Sequence, residues 1–349
     1  MRVAIVGATG NVGSRLTALL AEEADVDEVV AVARREPDQL PAGVVWRGAD
    51  LSRELPAGLL DGVDSVVHLG WLFQPSHDPA ATWQANVRGT VRLLDAVVEA
   101  GVSSFVQASS VGAYSPRRDL TPVDESWPTH GIASARYSVE KAYVERVLDR
   151  FELEHRSVRV VRMRPAFIFQ RSSAVQQRRL FMGPFVPAHL VSRTGVPLLP
   201  DPGGLVLQAL HTDDVALAYR QAVLGDASGA FNLAADPPLT MADIARELGA
   251  RVVRVPARPS RALLAAAWGL RAVPASPGMF DMALQIPMLD ASRARAELGW
   301  RPSHDGRAAI RALLDGMRSA EGGGTPPLAR ETSGPLRVDE LKSGVGRRP

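Results

Sequence analysis

The sequence predicts an α/β fold in which a doubly wound parallel sheet carries a smaller C-terminal lobe. A chain of 349 residues is long enough for one large α/β domain with an additional lobe. Its 46% apolar and 22% charged residues are close to the averages of globular proteins, so it can bury a sizeable core. Short apolar runs alternate with helical patterns over the first half, which is typical of a parallel sheet covered by helices.

Each element follows from its pattern. The strand candidates are continuously apolar, as expected for strands buried on both faces. They are residues 3–6, 28–32, 44–46, 65–69, 104–107 and 158–163. The helices predicted between them are residues 11–23, 82–100 and 135–154.

The pattern changes after Pro165, where prolines and glycines interrupt the periodicity as far as residue 202. Beyond it we predict helices at 213–224 and 241–248 and a strand at 230–233. Residues 1–165, with returning segments near 205–235, form the predicted sheet domain, and residues 166–318 mainly the lobe. Residues 319–349 are rich in Gly, Pro, Ser and charge, so we predict a flexible tail there.

Composition excludes several classes of function. Forty Lys and Arg against 38 Asp and Glu leave a net charge of +2, so we expect neither nucleic acid nor a membrane as partner. No cysteine is present, and the seven histidines show no metal-ligand spacing, so we expect no metal site. The chain shows no cleavable leader and no apolar run near the ~18 residues of a membrane span, so we expect a soluble cytoplasmic protein.

A glycine-rich loop connects the first strand to the first helix. Its glycines permit a tight turn, the close approach of phosphate oxygens to N–H groups, and close packing of the helix on the strand. Packing alone is the alternative explanation, but the position between strand and helix favours a Rossmann-type dinucleotide site. The predicted binding residues are Gly7, Thr9, Gly10, Asn11, Val12 and Gly13.

Two arginines indicate which dinucleotide binds. NAD sites place an acid at the end of the second strand, whereas an arginine there can bind the 2′-phosphate of NADP. Arg34 and Arg35 occupy this position, so we expect NADP in preference to NAD, with a solvated loop as the alternative. Asp50 and Leu51, after the third strand, are expected beside the adenine.

Tyr137 and Lys141 are four residues apart and therefore share one face of the predicted helix 135–154. An ammonium about 4 Å from the phenol is worth up to ~4 kcal/mol at an effective dielectric constant of ~20, or about three pKa units. The charge is thus expected to lower the pKa of Tyr137 into the range of a general acid/base. A chance pair on a helix surface is the alternative.

Ser110 lies just beyond the predicted fifth strand, at the carboxyl edge where open parallel sheets bind ligands. Its hydroxyl is our candidate for a hydrogen bond to the substrate oxygen. A serine that bonds to its own turn is the alternative, and it fits Ser109 better.

Taken together with these residues, six further segments resemble the extended short-chain dehydrogenase/reductase superfamily, and specifically its NAD-dependent epimerase/dehydratase family. The resemblance covers about residues 1–318, with the motifs in family order. The segments are 64–70, Asn86-Val87-Arg88-Gly89-Thr90, Arg164-Pro165, His211-Thr212-Asp213-Asp214-Val215, Phe231-Asn232-Leu233 and Leu298-Gly299-Trp300-Arg301-Pro302. We assign Asn86 a structural role rather than a substrate contact.

The resemblance implies a role for each site residue. Tyr137 is implied to be the general acid/base, Lys141 to lower its pKa and bind the nicotinamide ribose, and Ser110 to polarise the substrate carbonyl. The further implied cofactor contacts are Leu69 and Gly70 beneath the cofactor and the segment from Pro165 to Ile168 at the carboxamide.

The leading functional hypothesis is an NAD(P)-dependent oxidoreductase that moves a hydride between nicotinamide and a carbonyl or secondary alcohol. The first alternative is a nucleotide-sugar epimerase or dehydratase, and the second is a non-catalytic dinucleotide sensor. Nucleotide-sugar enzymes of this family usually hold the diphosphate with an arginine, where this chain has Leu207. Compensating arginines are available at Arg171, Arg178, Arg179 and Arg193.

The substrate is expected to be a small molecule with apolar bulk. The candidate pocket walls are Trp71, Leu72, Phe73, Trp127, Phe181, Met182 and Phe185. The helix 82–100 is apolar on more than one side, with Val87, Val91, Leu94 and Val98 in a stripe. We therefore expect a homodimer through this helix and the helix of Tyr137.

Overall fold

The structure is a computed structural model that describes residues 1–74, 77–182 and 197–330, together with Val338, Lys342 and Val345. Its centre is a seven-stranded sheet made of β1 (Arg2–Val6), β2 (Glu28–Ala33), β3 (Val44–Gly48), β4 (Ser65–His68), β5 (Ser104–Ala108), β6 (Arg159–Pro165) and β11 (Gly229–Leu233). The strand order across the sheet is β11-β6-β5-β4-β1-β2-β3, and all neighbours are parallel. The predicted fold class is confirmed.

The continuous apolar pattern of the strands reflects burial on both faces. In β1, Val3 and Ile5 belong to one hydrophobic cluster, while Ala4 and Val6 belong to the other. Successive side chains of a strand point to opposite faces of a sheet, so each face has its own core. Residues 3–6 of β1 and 29–33 of β2 lack polar alternation because neither face meets water there, whereas the edge strand β3 is partly exposed.

Helices cover both faces of the sheet and build the lobe. In chain order they are α1 (Asn11–Ala21), α2 (Pro79–Trp83), α3 (Gly89–Glu99), α4 (Arg136–Glu154), α5 (Ala174–Phe181), α6 (Thr212–Leu224), α7 (Met241–Leu248), α8 (Ala257–Gly269), α9 (Pro277–Gln285), α10 (Ser292–Glu297) and α11 (Gly306–Ser319). The start and end of α7 follow from its sequence, because Thr240 and Asp243 form a capping box and Gly249 ends the helix with φ 71°.

The predicted helix 82–100 is divided in the structure. A π-helical turn, Gln84–Arg88, separates α2 from α3. Gly89 follows this turn because a Cβ at this position would lie 2.6 Å from the carbonyl oxygen of Leu51. The irregular turn places Asn86 inside the protein, where it is buried.

The topology places a crevice at the centre of the carboxyl edge. From β1 the chain proceeds outward through β2 and β3, and then returns to β4 on the other side of β1. Ligands of open α/β sheets bind at such a switch point, outside the carboxyl ends of the strands. The residues that follow β1, β4 and β5 therefore face one cleft.

The lobe contains three two-stranded sheets and its own hydrophobic cluster. Its strands are β7 (Phe167–Phe169), β8 (Leu198–Asp201), β9 (Val206–Leu207), β10 (Ala209–His211), β12 (Leu239–Thr240) and β13 (Arg251–Arg254). Strand β11 returns to the main sheet beside β6, within the segment 205–235 predicted to do so.

The segment after α11 differs from the flexible tail expected from its composition. Leu328 is buried, with 3% of its surface exposed. The hydroxyl of Thr325 donates to the carbonyl oxygen of Thr9 at 2.7 Å. Residues 320–330 thus pack on the glycine loop, since a few specific contacts offset their low apolar content.

Two features are absent from the part of the chain that the structure describes. No helix there has the length and apolarity needed to cross a membrane. No cluster of three or more His, Asp or Glu side chains there is arranged to hold a metal ion.

Candidate active site

The glycine loop follows β1 at the switch point. Gly7 has φ +90°, and a Cβ on it would lie 2.7 Å from the backbone nitrogen of Gly70. A Cβ on Gly13 would lie 2.2 Å from the carbonyl oxygen of Gly7. The loop therefore tolerates no side chain at either position, as expected for a backbone cradle.

The N-terminus of α1 is open toward the cleft. Its N-cap is Gly10, and no side chain among the described residues caps the helix. The first amide N–H groups of a helix have no partner within it and carry the positive end of the helix dipole. Together with the glycine cradle, this donor set fits the pyrophosphate of a dinucleotide.

The other predicted loop residues have structural contacts. The side-chain oxygen of Asn11 accepts from Gln170 at 2.7 Å and from Thr212 at 3.1 Å. The carbonyl oxygen of Thr9 accepts from Thr325, and Val12 packs against the core. These contacts fix the loop and the start of α1.

Arg34 and Arg35 follow β2 directly and are exposed. Burial and the charge of Arg35 lower the pKa of Arg34, and the nearby carboxylate of Asp50 opposes the shift. Asp50 itself accepts hydrogen bonds from the backbone N–H and the hydroxyl of Ser52, at 2.9 and 2.8 Å. Two arginines, Arg34 and Arg35, face one carboxylate, Asp50, near the ends of β2 and β3. The excess of positive charge suits an anionic ligand.

Leu51, Leu69 and Gly70 are in contact with the glycine loop or with each other. A Cβ on Gly70 would lie 2.9 Å from Cδ1 of Leu51, and Leu69 donates its N–H to Val6 at 2.8 Å. The ends of β1 and β4 therefore meet with little space between their backbones. The predicted position of Leu69 and Gly70 beneath the cofactor stays a prediction.

The hydroxyls of Tyr137 and Ser110 are brought together. Tyr137 lies in the first turn of α4, and both its ring and the hydroxyl of Ser110, just beyond β5, lie against Gly112. Gly112 makes this possible, because a Cβ on it would lie 2.8 Å from Cε1 of Tyr137. The juxtaposition expected from the sequence is therefore present in the structure.

The two neighbouring serines differ from the expectation in one respect. The turn bond predicted for Ser109 belongs to Ser110, whose Oγ accepts from the N–H of Gly112 at 3.0 Å. Ser109 instead donates to Glu145 at 2.5 Å. The reason is that Ser109 faces the buried carboxylate of α4, while Ser110 begins a short turn at the edge of the cleft.

Lys141 lies one helical turn beyond Tyr137 in α4. Its ammonium donates to the carbonyl oxygen of Ala108 at 2.6 Å and is 3.5 Å from the centre of the Trp71 ring. Burial lowers the pKa of Lys141 to about 7, against the opposing charges of Glu145 and Glu140.

The pKa of Tyr137 shifts in the direction opposite to the expectation. Burial raises the pKa of Tyr137 to about 12, although the neighbouring hydroxyl of Ser110 lowers it. The ammonium of Lys141 is 5.8 Å from the centre of the tyrosine ring and is engaged elsewhere. Loss of solvent therefore outweighs the charge of Lys141.

Aromatic rings form the wall beside Tyr137. Phe73 stacks on it with 5.1 Å between ring centres and 9° between planes, and Trp71 meets it edge-on at 5.8 Å. Phe181 meets Phe73 edge-on at 6.1 Å. A cavity of about 60 Å³ opens here. Its lining residues are Trp71, Leu72, Phe73, Gln74, Thr82, Arg136, Tyr137, Glu140, Leu180, Phe181, Pro274, Ala275, Ser276 and Met279.

The remaining predicted wall residues do not line this cavity. Trp127 lines a separate depression with Arg118, whose guanidinium lies 5.5 Å from the ring centre. Met182 packs in the lobe cluster. Phe185 and Arg193 lie outside the described residues. Pro274 and Met279, which complete the cavity, carry no local motif that predicts it.

Pro165 and Ile168 lie where the sheet meets the lobe. Pro165 ends β6 opposite Leu233, and Ile168 in β7 is opposite Leu210. Both positions are at the carboxyl edge of the sheet, on the side of β5 that faces away from β4. Their predicted contact with the carboxamide stays a prediction.

A buried ion cluster, missed by the sequence analysis, supports the tyrosine helix. Glu145 accepts from Arg164 through both oxygens at 2.9 Å, from Arg162 at 3.0 Å and from Ser109. Although burial opposes it, the bonds and charge of Arg164 lower the pKa of Glu145 to about 2. The available signal was the position of Glu145 one turn beyond Lys141, combined with two arginines on one face of β6.

A second polar cluster joins α4 to the loop after β4. Asn86 bonds both backbone groups of Leu72, at 2.7 and 2.9 Å, and donates to Glu140 at 2.7 Å. Thr82 donates to the other oxygen of Glu140 at 2.6 Å. Asn86 thus holds the aromatic wall in place, which agrees with the structural role predicted for it.

The arginine that would hold a sugar-nucleotide diphosphate has no equivalent at Leu207, which packs in the lobe cluster. Of the possible substitutes, Arg171 is paired with Glu321. Arg178 and Arg179 are buried. None of these three offers an exposed guanidinium to the cavity.

Fold and site together define a dinucleotide-dependent enzyme of the extended short-chain dehydrogenase/reductase type. The profile of the NAD dependent epimerase/dehydratase family matches residues 3–234, more than half of the chain. The chain belongs to this family. The family resemblance predicted from the motifs is thereby confirmed, as is the prediction of an NAD(P)-dependent enzyme.

Individual relatives are more distant. An uncharacterized protein of Mycobacterium tuberculosis is 28% identical over 307 residues, which are 87% of this chain and 28% of that protein. This chain thus spans little more than a quarter of the mycobacterial relatives. A 3-diazoavenalumate denitrifying reductase of a Streptomyces species is 29% identical over 323 residues, covering 87% of this chain and 97% of the reductase. The Thermus thermophilus UDP-glucose 4-epimerase structure with NAD is 22% identical, with a TM-score of 0.67, covering 92% of this chain and 100% of that one.

Proposed function

We propose that the chain is an NADP-preferring oxidoreductase acting on a carbonyl or secondary alcohol of a small, partly apolar substrate. The observation that carries the proposal is the position of Tyr137 and Ser110 around Gly112 at the carboxyl edge of the sheet. Tyr137 lines an apolar cavity, and both residues lie on the same edge as the glycine cradle. This is the arrangement in which a proton donor and a bound dinucleotide meet one substrate.

In this proposal the protein supplies a proton and positions the substrate. At neutral pH Tyr137 holds its proton, since burial raises its pKa to about 12, and it would give this proton to the carbonyl oxygen as hydride transfer makes that oxygen strongly basic. Ser110 contributes a second hydroxyl to the same oxygen. Lys141 orients the first turns of α4 through its bond to Ala108 and supplies positive charge. The bound nicotinamide supplies the hydride.

The alternative is a nucleotide-sugar epimerase or dehydratase, in agreement with the UDP-glucose 4-epimerase fold. Two observations favour the oxidoreductase. Leu207, which is half-buried and packs against an apolar cluster, stands where the diphosphate-binding arginine is expected. The wall beside Tyr137 consists of Trp71, Phe73 and Phe181, which suit apolar bulk better than a sugar ring. The Streptomyces relative is likewise named a reductase.

Titration and turnover distinguish these functions. NADPH and NADH are titrated against the quenching of the six tryptophans, and the tighter ligand is incubated with a panel of aryl and alkyl ketones. Net oxidation of NADPH by a ketone supports the proposal. Retention of the dinucleotide without net redox change, together with interconversion of a nucleotide sugar, supports the epimerase. Dinucleotide binding with no catalysis of either kind supports the sensor.

We also propose a homodimer formed through α3 and α4. Leu93, Leu94 and Val97 of α3 are buried, whereas Val91 and Val98 are exposed at 37% and 40%. The predicted stripe on this helix therefore divides into a core face and a free face. Val139 and Tyr143 of α4 are exposed as well, and this pair of helix faces suits a self-complementary interface.

Light scattering tests the dimer. We expect twice the chain mass for the wild type and the mass of a single chain for Val98→Asp, because two-fold symmetry buries both carboxylates. Leu263→Asp, on exposed α8, is the matched control and should remain dimeric. A monodisperse wild-type monomer at micromolar concentration contradicts the proposal.

A further inference from the structure

The segment of residues 321–330, called the strap below, closes on itself as a compact turn. The N–H of Gly323 donates to the carbonyl oxygen of Leu328 at 2.8 Å, and the N–H of Leu328 donates to the carbonyl oxygen of Thr325 at 2.9 Å. Leu328 is buried beneath this turn. The strap is thus an ordered part of the structure rather than an extended end.

One anchor of the strap is the glycine loop. The hydroxyl of Thr325 donates to the carbonyl oxygen of Thr9 at 2.7 Å. Thr9 lies between Gly7 and Gly10, in the turn that fits the pyrophosphate. A residue 316 positions away in the sequence therefore holds the backbone of the phosphate-binding turn.

The other anchors are in the lobe. Glu321 pairs with Arg171, and the carbonyl oxygen of Pro327 accepts from Arg179 at 3.4 Å. Arg179 belongs to α5, which also carries Phe181 of the wall beside Tyr137. The strap therefore connects the sheet domain to the lobe, on the two sides of the cleft.

Other segments reach the same end of α1. Gln170, after β7, and Thr212, at the start of α6, both bond the side chain of Asn11. The glycine loop and the N-terminus of α1 are thus contacted by the strap, by the residue after β7 and by the start of α6. These contacts fix the turn and the helix end at which the dinucleotide is proposed to bind.

We propose that the strap is a retaining element: it closes over the phosphate-binding turn and slows release of the dinucleotide. Thr325 acts as a positioning residue, through the carbonyl of Thr9, and Glu321 and Pro327 hold the strap to the lobe. This inference rests on the proposed function, in which a dinucleotide binds at the glycine loop. The strap then sets the rate of cofactor exchange, a step that often limits turnover in enzymes with closing segments.

Stopped-flow fluorescence of the full chain with NADPH measures this rate. Thr325→Val removes the hydroxyl at nearly constant shape, and we expect about fivefold faster dissociation, the usual worth of one hydrogen bond. Thr325→Ser keeps the donor and should restore the slow rate. Ser260→Ala is the control, because its hydroxyl bonds Pro256 at the start of α8 and touches neither the strap nor the loop.

A second readout needs no bound dinucleotide. Hydrogen exchange of the peptide covering residues 6–14 should become faster in Thr325→Val and stay unchanged in Ser260→Ala, since the strap restrains the turn in the free protein. Unchanged or slower NADPH release in Thr325→Val overturns the inference, as does unchanged exchange of the loop. Failure of the wild type to bind NADPH or NADH instead refutes the proposed function, and the exchange measurement then still tests the strap.

Discussion

The two ends of the cleft are built in different ways. At the cofactor end the phosphate-binding loop consists of consecutive residues, in which Gly7 and Gly13 are required because a Cβ on either would overlap neighbouring backbone. The acid–base end collects Trp71, Ser110 and Tyr137 from separate segments, with Phe181 added from the lobe. Local steric rules therefore suffice to predict the phosphate-binding loop from the sequence. The acid–base end depends on the packing of the whole chain.

The electrostatics of the two ends differ as well. The cofactor end offers backbone N–H groups and the exposed Arg34 and Arg35. At the acid–base end, burial raises the pKa of Tyr137 to about 12 and lowers that of Lys141 to about 7. An anionic ligand is favoured at the first end, and a neutral proton donor is maintained at the second. Mutations should therefore separate binding from chemistry.

The largest expected effect is that of Tyr137→Phe, which removes the proton donor and keeps the ring that stacks on Phe73. We expect kcat to fall about 10³-fold, the usual contribution of a general acid. NADPH affinity should change less than about twofold, because uniform binding contacts are kept. Steady-state kinetics with the ketone found in the screen and fluorescence titration measure the two quantities.

Tyr143→Phe is the matched control, since this tyrosine lies on the same helix, is exposed and packs against Trp83. It should retain wild-type kcat. Equal activity of Tyr137→Phe and the wild type would exclude Tyr137 as the acid, and would remove the distinction between the two ends.

The sequence predicted the elements and most of the site because these depend on local patterns. The βα alternation and the glycine spacing identify the sheet and the cradle without tertiary information. The direction of the Tyr137 pKa shift was wrong, because spacing shows that Lys141 is near but not that it bonds Ala108. Whether a side chain is desolvated depends on rings from other segments, such as Phe73, which no local pattern reveals.

The next effect concerns the support of the acid–base end. Glu145→Gln leaves Arg164 buried without its counter-charge and removes one of the three carboxylates that pair with Arg162, so we expect a loss of about 3 kcal/mol in the free energy of unfolding. Urea denaturation at pH 7 measures it. Glu154→Gln on the same helix, whose carboxylate pairs with exposed Arg150, should change stability by less than about 0.5 kcal/mol.

The pH dependence of this loss has a defined sign. The pKa of Glu145 is lowered from 4.5 to about 2 in the folded protein, so its stabilisation is complete above about pH 4.5. It decreases as the pH falls toward 2, because protonation then costs the folded state more than the unfolded one. The difference between wild type and Glu145→Gln should therefore shrink over this interval. A difference that stays constant with pH contradicts an ionised Glu145.

The smallest effect tests the cofactor end, where we propose that an exposed charge selects NADP. Arg34→Ala should weaken NADPH binding about tenfold, since a charge-assisted contact with phosphate is lost, and leave NADH binding within about twofold. Arg301→Ala, which removes an exposed arginine away from β2, should alter neither. Because Asp50 lies beside Arg34, the variant also frees a carboxylate near the ribose, which should favour NADH slightly. Equal loss of both dinucleotides would assign Arg34 to the shared part of the ligand, and tighter binding of NADH by the wild type would assign the site to NAD.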